Sequence, residues 1–169
     1  MYKKLTSFRN LYFAYKDCLK RKRSTRSAKE IEPVYENILW KIKRELENKT
    51  WRPGLYRAFV VTEPTLREIF AADFQDRIVH HALCRIINPI LEPTFISQSF
   101  ACRKKKGTHS AVENLQKYLL ECSKNGQQVY FLKADIKSFF ATMDKEVLIK
   151  VIENKIKNND ILRVLTMGK

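Results

Sequence analysis

Glycine and proline are scarce in this chain, with four and five among its 169 residues. So few backbone hinges leave little room for long flexible linkers. Cysteine is equally thin. Cys18, Cys84, Cys102 and Cys122 are widely scattered and none forms a Cys-x-x-Cys pair, which disfavours a zinc site or a disulfide framework. Reduced, mostly packed thiols in a cytoplasmic protein are the expectation. No apolar run approaches the roughly 18 residues of a membrane span, and the basic N-terminus has no continuous apolar segment of signal type. Membrane spanning and secretion are both disfavoured. No internal repeat is visible. Acid is the other shortage: 18 Asp and Glu face 33 Lys and Arg, a net charge of +15. For a soluble domain that excess points first to a polyanion, of which nucleic acid is the commonest. A membrane surface is the weaker alternative.

What is present has a globular balance, 44% apolar and 30% charged. Leu5, Phe8, Tyr12, Tyr15 and Leu19 recur at helical spacing and predict one buried stripe. It runs into Lys20-Arg21-Lys22-Arg23 and then Arg26, read either as a solvated linker or as a phosphate contact. Glu32 and Pro33 suit the first turn of a second helix, carried on by Val34, Ile38, Ile42 and Leu46. Trp51-Arg52-Pro53-Gly54 breaks it. Residues 55–71 predict a β-hairpin: Tyr56 to Val61, a turn at Glu63-Pro64-Thr65, then Leu66 to Ala71, with Arg57 and Arg67 on the arms.

From Asp73 the pattern is helical, with a wide apolar face from Phe74 to Leu91 and Pro93 beyond its end. His80 and His81 are adjacent, about 100° apart on a helix, so they cannot form an i, i+4 metal clamp; they read as structural or RNA-facing. Arg103-Lys104-Lys105-Lys106-Gly107 then precedes a helix, a pattern that suits contact with backbone phosphates. Ser110 with Glu113 fits a capping box, and Ala111, Leu115, Tyr118, Leu119 and Cys122 predict its buried stripe. Asn125-Gly126 is a turn signal. Asp144 is placed to cap a last helix with Val147, Leu148, Val151, Ile152 and Ile156 inside, and Asp160 reads as part of a polar turn.

The stretch from Val129 to Asp144 carries the chemistry. Alternation predicts an apolar strand with Val129, Phe131, Lys133 and Asp135 on one face. An acid at the end of a buried strand is costly unless a cation meets it. A divalent metal is one candidate and an arginine or lysine is the other.

Several blocks, in this order, resemble prokaryotic reverse transcriptases. They are Arg67-Glu68-Ile69, Asp76 to Leu83, Pro89 to Phe95, Ser99 to Arg103, Gly107 to Ala111, and Lys133-Ala134-Asp135-Ile136-Lys137-Ser138-Phe139-Phe140. His80 to Cys84 and Ala101 to Lys104 look most like the enzymes of diversity-generating retroelements, with group II intron and retron enzymes close. The resemblance implies an α+β fold: the fingers of a right-hand polymerase and the start of its palm, helix-rich, with a β-hairpin and a palm strand and without a thumb. It divides the chain into an N-terminal helical region (1–50), fingers (51–128) and the start of the palm (129–169).

By the same resemblance the activity is RNA-directed DNA synthesis with Mg²⁺. Asp135 matches the first metal-binding aspartate and Ile136 the neighbour whose carbonyl reaches a metal. Phe140 matches the gate that favours deoxynucleotides, and Lys137, Ser138, Phe139 and Phe140 line the incoming dNTP. Arg67 matches the arginine that clamps the triphosphate, although Thr62-Glu63-Pro64-Thr65 lacks the lysine many relatives carry there. Lys20, Arg21, Lys22 and Arg23, with Arg103, Lys104, Lys105 and Lys106, are the expected contacts to RNA template and primer. A small basic accessory protein is a further partner the resemblance allows. The family's Tyr-x-Asp-Asp turn has no counterpart here, since the chain has no Asp-Asp pair. One carboxylate cannot hold two metals. The expectation is therefore an N-terminal portion that is inactive alone, with a non-catalytic basic RNA-binding module as the alternative.

Overall fold

The computed structural model describes residues 1–64, 66–124 and 128–167, without the side chains of Phe140 and Ala141. Thr65 of the hairpin turn and the Asn125-Gly126 turn lie outside the described residues. By packing, the chain divides into two compact units, Met1–Leu91 with Ile149–Lys169, and Glu92–Leu148. These are units of packing; the division expected at 50 and 128 rests on motifs, which packing does not test.

In the first unit the expected helix over Leu5 to Leu19 is two helices, α1 (Tyr2–Leu5) and α2 (Phe8–Leu19). Ser7 separates them, because its hydroxyl accepts the Asn10 N–H at 3.3 Å and so caps a new start. The buried line on α2 is Leu11, Ala14, Tyr15, Cys18 and Leu19, with Phe8 and Tyr12 at its margin. Beyond the basic run, α3 (Arg26–Ile31) is anchored by buried Ala28 and Ile31. Glu32–Val34 forms a 3-10 turn, so α4 (Tyr35–Glu47) begins later than predicted and Val34 stays exposed. Leu39, Ile42 and Leu46 of α4 join the core. The rings of Tyr15 and Tyr35 stack with centroids 4.9 Å apart.

Strands β1 (Arg57–Val61) and β2 (Arg67–Ala71) pair antiparallel, as the hairpin pattern predicts. α5 (Phe74–Leu91) follows and buries Phe74, Ile78, Val79, Ala82, Leu83 and Ile87 against α2. Truncating one such side chain to alanine typically costs about 2–5 kcal/mol.

In the second unit, α6 (Thr108–Ser123) starts at Gly107, whose φ of 134° suits glycine. The Ser110–Glu113 capping box does not form, because the helix begins before Ser110. Nor does α6 bury its stripe: Leu115, Tyr118 and Cys122 are exposed, since no apolar layer within the unit covers them. Among the described residues, every buried apolar side chain belongs to the first unit.

The predicted palm strand is the main correction. Among the described residues, 128–136 have no ladder partner, and Tyr130, Phe131, Leu132 and Ile136 are between 64% and 92% exposed. Alternation marks a chain able to be a strand, but a strand exists only where another strand supplies its hydrogen bonds. Among the described residues the β1–β2 hairpin makes the sheet. A helix-rich α+β architecture stands; a palm strand does not.

α7 (Phe139–Thr142) is a single turn, and α8 (Lys145–Lys155) follows. Asp144 does cap α8, accepting the N–H groups of Glu146 at 2.8 Å and Val147 at 3.1 Å. Val147, Leu148 and Val151 are nevertheless exposed; Ile156, just past the helix, is the buried one. Asp160 is not in a loose turn either. Asn158 caps α9 (Asn159–Thr166) by accepting the Ile161 N–H at 3.0 Å, and Asp160 pairs with Lys49 at 2.6 Å. Ile161 and Val164 complete the core of the first unit.

Candidate functional site

Strand register decides what the hairpin presents. Arg57 opposes Ala71, Phe59 opposes Ile69, and Val61 opposes Arg67. Opposed residues in an antiparallel pair share a face. One face therefore carries Arg57 and Arg67 at its two ends, with Phe59 and Ile69 between them. The other carries Ala58, Val60, Glu68 and Phe70. The arginines are separated by four residues along β1, about 13 Å at strand rise. Arg57 lies 3.8 Å from Asp73 in a largely exposed ion pair, worth little in water. A guanidinium at each end of an exposed aromatic and aliphatic floor is suited to a phosphate-bearing ligand. Sequence reasoning named Arg57 only as an arm residue; alternation plus register is the signal that pairs it with Arg67.

Below the hairpin, a cleft of about 650 Å³ is lined by Glu45, Trp51, Arg52, Tyr56, Arg57 and Asp73 among others. Its carboxylates and cations are mixed in sign, so it favours no one class of ligand.

Asp135, Ile136, Lys137, Ser138 and Phe139 belong to the second unit, and Arg67 to the first. Asp135 sits on the exposed, unpaired segment and not at the end of a buried strand, so the cost expected of a buried acid does not arise. Ser138 takes a left-handed conformation, φ 53°, that turns the chain into α7. That conformation costs a non-glycine residue roughly 1 kcal/mol. The Phe140 side chain, expected as the sugar gate, lies outside what the structure describes. Among the described residues, no group of three His, Cys, Asp or Glu side chains is placed to hold a metal ion. A magnesium centre of the two-metal kind needs several carboxylates together, and the one at Asp135 does not supply it.

The two basic runs differ in how they are held. Lys20, Arg21, Lys22 and Arg23 are exposed, with Lys20 paired to Asp17 at 2.6 Å. In the second run, Arg103 is turned inward. Its Nε donates to Glu92 at 2.8 Å, and its Nη1 donates to the carbonyls of Ile96 and Ser99, each at 2.9 Å. Lys106 donates to the Ser97 carbonyl and lies over the Phe100 ring at 5.1 Å. Lys104 and Lys105 point to solvent. Arg103 and Lys106 thus shape the loop, and Lys104 and Lys105 are its free charge.

His80 is half-buried and His81 exposed. Burial at His80 and partial desolvation of the His81 ring lower the pKa of both below the ordinary histidine value, with Asp76 opposing at His80 and Asp17 at His81. Of the thiols, Cys18 alone is buried, and burial pushes it up to about 12; Cys84, Cys102 and Cys122 are exposed, so mostly packed thiols are not what the fold provides. Among the described residues no helix is long and apolar enough to cross a membrane.

No protein-family model matches the chain. It is similar to Protein YkfC of Escherichia coli, 25% identical over 100 residues, which is 59% of this chain and 26% of that protein. It is similar to the mitochondrial Nuclear intron maturase 1 of Arabidopsis thaliana, 25% identical over 92 residues, 54% of this chain and 12% of that one. It is also similar to the Group II intron-encoded protein LtrA of Lactococcus lactis subsp. cremoris, 26% identical over 126 residues, 73% of this chain and 20% of that one. The chain thus spans about a quarter or less of the length of these relatives. The likenesses support the reverse transcriptase relationship implied by the ordered motifs, at the level of intron-encoded and maturase proteins. They do not single out the diversity-generating retroelement type.

Proposed function

We propose that this chain is the nucleotide- and RNA-handling part of an RNA-directed DNA polymerase akin to group II intron-encoded proteins. The observation that carries the reading is the hairpin face, where Arg67 and Arg57 bracket Phe59 and Ile69. Such a face meets a dNTP with guanidinium on its phosphates and an apolar floor beneath. The net charge of +15 supplies the long-range attraction for template and primer RNA. Asp135 is the residue we assign to a catalytic metal centre, together with the Ile136 carbonyl. The carboxylates among the described residues do not complete that centre. Placement among the diversity-generating retroelement enzymes, and a small basic accessory partner, are the finer parts of the same proposal.

The test has two arms. A photoreactive dNTP should crosslink to the 169-residue chain, and Arg67→Gln should abolish most of the crosslink while leaving the fold intact. On a primed RNA with Mg²⁺ and dNTPs, the same chain should bind without extending the primer. Crosslinking that ignores Arg67 would remove the assigned nucleotide site, and robust extension would show that the carboxylates present suffice.

A second reading, a non-catalytic basic RNA-binding module, is favoured by the exposure of Asp135 on a segment without a ladder partner. It requires salt-sensitive RNA affinity with no dNTP crosslink at all.

A further inference from the structure

Arg77, His81 and Arg85 recur every four residues on α5, one above another along a single stretch of the helix. The row is about 12 Å long at helical rise. It runs beside α2, the helix that α5 packs against most extensively. Arg85 reaches across to α2, donating from Nε to Asn10 at 3.2 Å and from Nη1 to Asp17 at 2.9 Å, with its guanidinium 5.2 Å from the Phe13 ring. Arg9 stacks on the same ring at 5.9 Å. At the other end, Arg77 lies over Phe74 at 4.9 Å, and its Nε is buried with no hydrogen-bond partner among the described residues. The basic turn after α2 adds Lys20 and Lys22, both close enough to act electrostatically on His81. Asp17 is the acid within this set, and it holds Lys20 and Arg85 in place.

We infer that the seam between α2 and α5 is a binding track for the phosphate backbone of an RNA strand. Arg77, His81 and Arg85 form its floor, and Arg9, Lys20 and Lys22 its rim. Its length spans a few consecutive phosphates of one strand. The inference rests on the RNA-handling reading above; it gives a role to Arg77 and Arg85 and sharpens the RNA-facing reading of His81. The cations are held by ring stacking and by Asp17, so they are ordered before the strand arrives and lose less freedom on binding. His81 sits mid-row as a conditional charge. Partial desolvation, with Arg77, Lys22 and Lys20 nearby, disfavours its protonated form, Asp17 favours it, and His80 and Arg85 flank it on the same helix. A phosphate laid over the row favours the imidazolium, so affinity rises as pH falls through the histidine range.

The experiment is fluorescence anisotropy of a labelled single-stranded RNA with the 169-residue protein, across salt and between about pH 7.5 and 5.5. Arg77→Gln/Arg85→Gln should weaken binding about tenfold or more and reduce the log–log salt slope by about 1.4, at about 0.7 per lost phosphate contact on a single strand. Arg77→Lys/Arg85→Lys should recover most of the slope. His81→Gln should remove the gain in affinity at acid pH. Where the glutamine pair fails to fold, His81→Gln carries the test: a retained acid-side gain overturns the inference. If the wild type binds and Lys104→Gln/Lys105→Gln weakens it, but the α5 variants leave affinity and slope unchanged, the seam is wrong and the RNA reading stands. If the wild type does not bind RNA, the RNA reading itself falls.

Discussion

The carboxylate of Asp76 accepts the backbone N–H of Gly54 at 2.8 Å, across 22 residues of sequence. Asp76 is 6% exposed, in the first turn of α5, and Gly54 ends the break after α4. This bond ties the chain entering the hairpin to the helix leaving it. Asp76→Ala leaves a half-buried N–H without its acceptor, a loss of about 1–3 kcal/mol. For a chain of this size that is a fall of very roughly 2–4 °C in Tm per kcal/mol, read by circular dichroism. Gly54→Ala is milder: its Cβ would meet Asp76 Oδ2 at 3.3 Å, a contact relieved by a few tenths of an ångström. An Asp76→Ala melt equal to wild type would remove the tie as a stabilising feature.

Asp17 gives a pH signature. Burial alone would raise its pKa, but hydrogen bonds from Lys20 and Arg85 outweigh that and hold it below the ordinary carboxylate value. A depressed folded-state pKa adds stability that is complete above the unfolded value and is lost as pH falls through the folded one. Wild type should therefore exceed Asp17→Asn in Tm at neutral pH, with the gap closing under acid conditions. A gap that stays constant down to strongly acid pH would show that the carboxylate charge is not the cause.

Arg103 and its neighbours should separate cleanly. Lys104→Gln/Lys105→Gln removes exposed charge and should lower RNA affinity and its salt dependence without changing the melt. Arg103→Gln removes three hydrogen bonds that close the loop from Glu92 to Ser99, so increased proteolysis of that loop is expected. Equal protease resistance in the two variants would assign Arg103 to the surface with the lysines.

Thiol labelling should follow burial. Iodoacetamide at neutral pH should modify the exposed Cys102 and Cys122 and spare Cys18, whose thiolate is suppressed by burial until the chain is denatured. Rapid native labelling of Cys18 would mean that α2 opens readily from the core.

The two caps should differ in consequence. Asn158→Ala frays α9, which carries the buried Ile161 and Val164, and should cost about 1 kcal/mol of global stability in a urea titration. Asp144→Ala loses two hydrogen bonds at a helix start whose apolar residues Val147 and Leu148 are exposed. It should lower helicity with little change in the midpoint.

Much of this was legible beforehand where the signal is local. The apolar spacing of Phe74 to Leu91 needed nothing beyond its own period to mark α5, and the Asp144 cap followed from residue type. The hairpin too was readable from its strands and breakers. Misreadings came where a neighbour decides. The α6 stripe, and Val147 and Leu148 at the start of α8, have the spacing of buried faces, yet the described residues of the second unit offer no layer to bury them. Ser7 and Gly107 moved helix starts by hydrogen bonding or backbone freedom that a period count does not register.

The sequence alone determined the charge, the helical faces, the ordered motifs and the residue types at Arg67 and Asp135, because these depend on composition and short-range geometry. Tertiary structure alone decided which cations are usable: it turned Arg103 and Lys106 inward, put Arg57 on the same face as Arg67, and brought the Arg77–His81–Arg85 row against α2. It also decided that residues 128–136 are not a strand. Alternation is a property of one segment, whereas a strand needs hydrogen-bond partners from another.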